Sequence, residues 1–395
     1  MDDSAIAAGT TRSWEGPAAV NLYKDKQTPH HPYHTIVKEA VNRLSKKEED
    51  QENENDNDRV PTKKKIEEAI KNKKNRKSTT DWRNEILKRG GDPMVEMIVP
   101  VIEAFWHEEQ APKQWNLGHI TNIWKGRGDR EKLENQRGIT VSSSIGTIPE
   151  EIINQRLVKT IKFTQAQAGG KKGASTTDHL FILKNIMAIA KKEGKHLIIS
   201  FFDVKKAYDR ADMNDMLYVI HKNGFEGKIW RLTKALNEGL TAKIKTKAGL
   251  TREIKREKGG KQGGKLMVPM FAKTMDTLVE DMGADGNLGI DLNGTKIDAL
   301  LFMDDVLSFA EGYEQQKRTL KAVKEFGTKH QIEWGNDKCK VMEAGTHRVS
   351  KKEWELGEET IEKCETYKYL GEIISRDGKN EENLMARMKK VKCSK

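Results

Sequence analysis

Phe201-Phe202-Asp203-Val204-Lys205-Lys206-Ala207-Tyr208-Asp209 is the stretch on which the reading of this chain turns. His196-Leu197-Ile198-Ile199-Ser200 precedes it, giving a short, unbroken apolar run that fits a buried strand. A buried strand that ends in a carboxylate needs compensation, because an unpaired buried charge is costly. A bound divalent cation is the simplest compensation. A second acidic tip lies downstream, in Asp298-Ala299-Leu300-Leu301-Phe302-Met303-Asp304-Asp305-Val306-Leu307-Ser308-Phe309. It reads as two apolar strands with a pair of carboxylates at the turn between them. The two tips are treated together as one candidate metal site.

The totals set the surroundings. The chain has 395 residues, and 71 Lys and Arg against 60 Asp and Glu leave a net charge of +11. That excess favours a polyanionic partner, with nucleic acid the first candidate. Only 36% of the residues are hydrophobic, so solvated surfaces or tails take up part of the length. Cys339, Cys364 and Cys393 are widely spaced and match neither a zinc nor a disulfide pattern, as expected of free thiols in a reducing compartment. No apolar run approaches the ~20 residues that span a bilayer. Met1-Asp2-Asp3-Ser4 is acidic and lacks the apolar core of a secretory signal, so an intracellular protein with no membrane partner is expected.

Upstream of the strand, residues 1–60 show no sustained periodicity, and the acidic run Glu48 to Asp58 is expected to be disordered. Pro61 opens a helix with Ile66, Ala69 and Ile70 on one face. The basic run Lys71 to Lys77 then fits a phosphate backbone, a nuclear address or a solvated helix end. Asp92-Pro93 predicts a helix start, with Met94, Met97, Ile98, Val101, Ile102 and Phe105 as its core face and a kink at Pro100. Ile120 to Trp124 reads as a strand, Lys125 to Arg130 as a basic turn, and Thr147 to Glu150 as a capping box. Gln165 to Asp178 is a glycine-rich basic loop that fits phosphate binding or a plain turn, and it leads into a helix from Leu180.

Downstream, Asp212 caps a helix that stops at Gly224. Thr241 to Lys247 and Thr251 to Arg256 alternate as a hairpin with a basic outer face. Gly259 to Gly264 leads into an apolar helix, Leu266 to Met282, and Trp334 to Lys340 and Tyr367 to Ser375 read as short strands. Helices and antiparallel strands mixed in this order indicate an α+β fold.

These residues carry a resemblance. The stretch around Asp203 resembles motif A of reverse transcriptases, and Phe302-Met303-Asp304-Asp305 resembles motif C. Gln262-Gly263 with Leu266 and Phe271 is similar to motif B. Gln167 to Asp178 and Arg137-Gly138-Ile139-Thr140 resemble the two fingers blocks upstream. Lys338 with its neighbours, and Tyr369-Leu370-Gly371, resemble motifs D and E. The wording is nearest to non-LTR (LINE-like) retrotransposon enzymes. Any one motif is weak; the ordered set from about Lys77 to Ser375 is specific.

The resemblance implies a right-hand polymerase with fingers and palm, an antiparallel palm sheet backed by helices and a thumb largely missing. It also implies RNA-directed DNA synthesis with an RNA template, a DNA primer, deoxynucleotides and two Mg²⁺ ions, with Mn²⁺ as a substitute. Asp203, Asp304 and Asp305 would be catalytic, and with Val204 would hold the metal. Arg137, Lys171, Tyr208, Gln262, Gly263 and Lys338 would meet the nucleotide, Tyr208 as a gate against the ribose 2′-hydroxyl. Tyr369, Leu370 and Gly371 would grip the primer. The chain departs from the family pattern at Gly170 and Lys171, where an aromatic and an arginine are usual, and at Met267-Val268-Pro269 in motif B. The domain expectation is an irregular segment at 1–60, an extension and fingers at 61–195, a palm at 196–375 and a tail or thumb start at 376–395. A retroelement remnant that binds RNA without catalysis is the alternative. Nuclear residence is the localisation the family suggests.

Overall fold

The computed structural model describes residues 31–46, 56–75, 83–126, 128–132, 135–171, 173–246, 248–283, 286–292, 294–335, 337–344 and 353–379. Most of the acidic run 48–58, the end of the basic run at 76–77, Lys172, Asn336 and the segment 380–395 lie outside the described residues. The first elements are α1 (Pro32–Leu44), α2 (Lys63–Lys71), α3 (Asn84–Arg89), α4 (Gly91–Glu108), β1 (Leu117–Trp124), β2 (Gln136–Val141) and α5 (Thr147–Thr160). Next come α6 (Thr176–Lys192), β3 (Leu197–Asp203), α7 (Ala207–Arg210), α8 (Met213–Lys222), α9 (Lys228–Asn237), β4 (Thr241–Thr246), β5 (Gly249–Leu250) and β6 (Ile254–Lys255). After α10 (Met267–Gly283) follow β7 (Ile290–Leu292), β8 (Thr295–Ile297), β9 (Ala299–Phe302), β10 (Asp305–Glu311) and α11 (Tyr313–Lys329). The last strands are β11 (Lys340–Ala344), β12 (Trp354–Leu356), β13 (Glu359–Lys363), β14 (Thr366–Tyr369) and β15 (Glu372–Ser375).

The chain divides into two compact units that interleave along the sequence, one from residues 1–162 and 206–271, the other from 163–205 and 272–395. The second unit holds both acidic tips. Its six-stranded sheet runs β12-β13-β11-β3-β10-β9. Strand β3 lies near the middle and is buried from Leu197 to Phe202, which explains its unbroken apolar run. Its two faces meet different helices. Leu197, Ile199 and Phe201 join Leu183, Ile186 and Met187 of α6 in one core. On the other face, Gln316 of α11 donates to the Ser200 hydroxyl at 2.6 Å, and Phe202 packs on Trp334. β3 pairs antiparallel with β10 and β11, as an α+β fold requires, but β11 and β13 run parallel, so the sheet is not purely antiparallel.

The first unit carries a sheet in the order β2-β1-β4-β5, with β6 also on β4 and with β1 and β4 parallel. One face is buried through Ile120, Thr140, Ala242 and Ile244. Helix α2 buries Ile66, Ala69 and Ile70 as its pattern predicts. Among the described residues, no helix is long and apolar enough to cross a membrane.

Several local expectations are corrected. The supposedly irregular N-terminal segment contains α1, which buries Val37 and Val41 at helical spacing, while Tyr33 donates to Asp215 at 2.9 Å. Helix α4 starts at Gly91, so Asp92 lies inside its first turn rather than capping it. Its buried stripe is Val95, Ile98, Ile102, Phe105 and Trp106; Met97 and Val101 face outward. Trp106 displaces the stripe because it is the largest side chain available and its indole donates to the Asp58 carbonyl at 3.1 Å. Thr147 forms no capping box: its hydroxyl donates to the Ser144 carbonyl, and buried Glu150 instead accepts from the Leu266 amide. Arg256 is buried rather than on a basic outer face, and donates to the Gly260 carbonyl at 2.7 Å. Within the basic run, Lys73 is also buried and donates to Thr147.

Candidate active site

The register of the central strands decides the geometry. Asp203, the last residue of β3, stands directly opposite Asp305, the first residue of β10. Residues opposed in an antiparallel pair point to one face with their Cβ atoms about 5 Å apart, and like charges so placed repel. Asp305 is paired on its other side with Phe302, so Met303 and Asp304 alone make the hairpin turn. Two carboxylates thus stand opposed on adjacent strands, and a third, Asp304, lies on the turn next to one of them. The crowding is visible in Asp305, whose pKa is pushed up to about 6 by burial first and then by Asp304 and Asp203.

One cation of the protein already answers this charge. Lys338 donates to Asp203 Oδ2 at 2.6 Å, with its side chain about half exposed. Its loop is fixed by backbone: the Gly335 amide donates to the Asp203 carbonyl at 2.8 Å, and the Lys338 amide donates to the Gly335 carbonyl. Gly335 lies close against this carboxylate: a Cβ there would stand 3.2 Å from Asp203 Oδ2. Val204 forms an antiparallel bridge with Trp334, flanked by that bond to the Asp203 carbonyl and by the Lys205 amide donating to the Glu333 carbonyl. In that pattern the polar groups of Val204 point to the opposite edge of the strand, along which β10 runs.

This set suits a hard divalent ion, which takes a few carboxylate and carbonyl oxygens and completes its shell with water and phosphate. The residues fit such an ion without forming a finished cage: no three His, Cys, Asp or Glu side chains among the described residues converge as a metal cluster.

The remaining candidates fall into two groups. In the second unit, Lys171 is exposed on the loop before α6. That loop leads into a genuine capping box, Ser175 with Asp178. Tyr369 is buried, its hydroxyl 3.4 Å from His179 Nδ1, and burial raises the phenol above its usual range. The turn Leu370-Gly371 has positive φ at both residues, with Gly371 exposed and Leu370 partly buried against the core. Neighbouring Tyr367 stacks on Phe201 at 4.0 Å, so motif E is tied to the strand that carries Asp203.

In the first unit, the Gly259–Gly264 loop lies against α7 and β2. The Gly260 amide donates to the Tyr208 carbonyl, and the Thr140 amide donates to the Gln262 carbonyl at 2.8 Å. Gly263 is exposed with φ +108°. Tyr208 packs its ring on Phe271, 5.4 Å between centroids, and remains partly exposed. Arg137 lies exposed on β2, three residues before Thr140. The Gly259–Gly264 loop is thus bonded at one end to Tyr208 of α7 and at the other to β2, the strand that also carries Arg137.

Two residues of the upstream fingers block lie against the acidic turn, a contact that the sequence does not show. Gln167 and Gly169 sit inside a glycine-rich loop, where they look like turn residues, yet both contact Met303. Only the strand pairing of that loop reveals them.

The family described as reverse transcriptase (RNA-dependent DNA polymerase) matches residues 125–374. The chain is similar to a retrovirus-related Pol polyprotein from the type-1 retrotransposable element R2 of Popillia japonica, 26% identical over 54% of this chain and 30% of that protein. It is also similar to the RNA-directed DNA polymerase from mobile element jockey of Drosophila melanogaster, 23% identical over 74% of this chain and 32% of that protein. An R2 polyprotein of Nasonia vitripennis is 24% identical over 50% of this chain and 20% of that protein. The chain therefore spans about a third or less of the length of these relatives.

Proposed function

This chain belongs to the reverse transcriptase family, in its non-LTR retrotransposon branch, and we propose that it is an RNA-directed DNA polymerase. The observation that carries the reading is the placement of Asp203 opposite Asp305, with Asp304 on the turn beside them. In this reading the sheet bearing these residues is the palm and the segment before it contributes fingers.

Asp203, Asp304, Asp305 and the Val204 carbonyl would hold two Mg²⁺ ions, or Mn²⁺ in their place. When bound, such ions lower the pKa of the attacking hydroxyl and offset charge on the leaving pyrophosphate. The primer 3′-oxygen forms a bond to the α-phosphorus of a deoxynucleotide, the bond from that phosphorus to the β-bridging oxygen breaks, and the hydroxyl proton passes to solvent.

The protein's own groups do the rest. Lys338, paired with Asp203 in an exposed contact worth about 1 kcal/mol or less, would be released from that carboxylate by a bound ion and would then stand ready to protonate the pyrophosphate. Tyr208 occupies the space a 2′-hydroxyl would need. Gln262 and Gly263 face the incoming base pair, Lys171 and Arg137 supply positive charge to the triphosphate and template, and the Leu370-Gly371 turn holds the primer.

Primer extension on an RNA template tests the reading. Product that forms with Mg²⁺ and deoxynucleotides, and not with ribonucleotides, supports it. RNA binding without any incorporation would instead support a non-catalytic remnant, a second reading that the Lys338–Asp203 contact favours.

A further inference from the structure

The hairpin that presents the acidic pair is an unfavourable one. Its two-residue turn has a positive φ, +61°, at Met303 and none at Asp304, the signs of a type II′ turn. That position favours glycine, and a side chain there is strained. Something outside the hairpin has to hold it.

Gln167 is placed to do so. It is fully buried, and its backbone neighbours extend the sheet beyond β9: the Leu301 amide donates to the Ala166 carbonyl at 2.8 Å, and the Ala168 amide donates to the Leu301 carbonyl at 2.9 Å. From that position Gln167 Oε1 accepts from the Met303 amide at 3.2 Å and from the Gly169 amide at 2.8 Å. Its Nε2 donates to the Ala272 carbonyl at 3.2 Å, which fixes which way the amide faces. Gly169 then closes on the same turn so tightly that a Cβ would stand 2.2 Å from the Met303 nitrogen and 2.8 Å from the Phe302 carbonyl carbon. The two residues grip the turn from one side, one by a hydrogen bond and one by the lack of a side chain.

We propose that Gln167, with Gly169, is a positioning residue that holds the strained Met303-Asp304 turn and thereby sets the carboxylates of Asp304 and Asp305 against Asp203. The assignment rests on the polymerase reading above, but the hold itself is a property of the fold. Met has nearly the length of Gln and no strong acceptor, so Gln167→Met removes the bond while keeping the volume. Displacing a reacting group by about 1 Å can cost on the order of 100-fold in rate.

The test combines kinetics with amide exchange. Gln167→Met is expected to lower kcat for single-nucleotide addition by about tenfold or more, with the KM for deoxynucleotide and the affinity for RNA within about twofold of the wild type. Amide exchange of peptides covering 302–305 should quicken by about tenfold, while that of β3 stays unchanged. Gly169→Ala, which pushes on the turn and leaves the Gln167 side chain intact, should give the same kcat loss and serves if Gln167→Met does not fold. Wild-type kcat and wild-type exchange in both variants would overturn the proposal, as would exchange raised equally across β3, β9 and β10. If the wild type itself adds no nucleotide, the polymerase reading fails separately, and exchange at 302–305 still decides whether Gln167 holds the turn.

Discussion

Asp203 and Lys338 are 135 positions apart in sequence and 2.6 Å apart in space. Of the two, Asp203 is legible in the sequence, because a carboxylate at the end of an apolar run breaks the pattern around it. Lys338 is legible only through its resemblance to a family motif, since a lysine in a polar loop breaks no rule. Gln167 is the harder case: an amide among glycines reads as turn chemistry, and only its burial shows that every polar atom is committed. The prediction at this scale concerns Tyr208. Its ring is braced by Phe271, and truncating it would remove the bulk proposed above to exclude a 2′-hydroxyl. Tyr208→Ala is expected to reduce the preference for dNTP over rNTP by about tenfold or more, measured by single-nucleotide addition. Unchanged discrimination would remove the gate role from Tyr208 and leave the metal residues untouched.

Strand β3 is the element on which the second unit is built. Its alternate residues serve two cores, so period-2 alternation disappears and length alone marks it as a strand, a reading the structure bears out. Helix α4 was less legible, because two apolar stripes compete on it and only packing selects the one with Trp106. Phe201 joins β3 to the motif E hairpin by stacking on Tyr367, and it is 1% exposed. Phe201→Ala is expected to cost about 3–5 kcal/mol, seen as a lower urea midpoint, with the loss of motif E packing visible as faster exchange in β14 and β15. A change under 1 kcal/mol would mean that this ring is not a core contact. At the junction of α2 and α5, burial pushes the Lys73 ammonium down to about 7, with Lys265 adding to the effect. The unfolded chain keeps that proton to about pH 10.4. Between roughly pH 7 and 10 the unfolded state therefore binds more protons, and stability rises with pH. Below about pH 7 both states are charged and the whole cost of burying the ammonium is present. Lys73→Met should melt higher than wild type at pH 7, with a flatter rise towards pH 10. Lower melting at pH 7 with an unchanged slope would contradict this.

The whole molecule carries a net charge of +11, which the sequence states directly. What it does not state is that the chain passes between two packing units at 162/163, 205/206 and 271/272, because no change in composition marks those points. Both acidic tips fall in one unit, while Tyr208 and Gln262-Gly263 fall in the other. The excess charge predicts RNA binding that weakens log-linearly with salt, by about tenfold or more between roughly 50 and 200 mM. Filter binding on a single-stranded RNA measures it, and salt-independent affinity would argue against a polyanion as partner. The central claim is that Asp203, Asp304 and Asp305 form a metal-dependent site for DNA synthesis. The direct test is incorporation of deoxynucleotides by the purified chain on a primed RNA template, with and without Mg²⁺, beside Asp304→Ala. Wild-type product should require Mg²⁺ and fall by about 100-fold or more in the variant, with RNA affinity unchanged. Extension by Asp304→Ala at the wild-type rate would contradict the account.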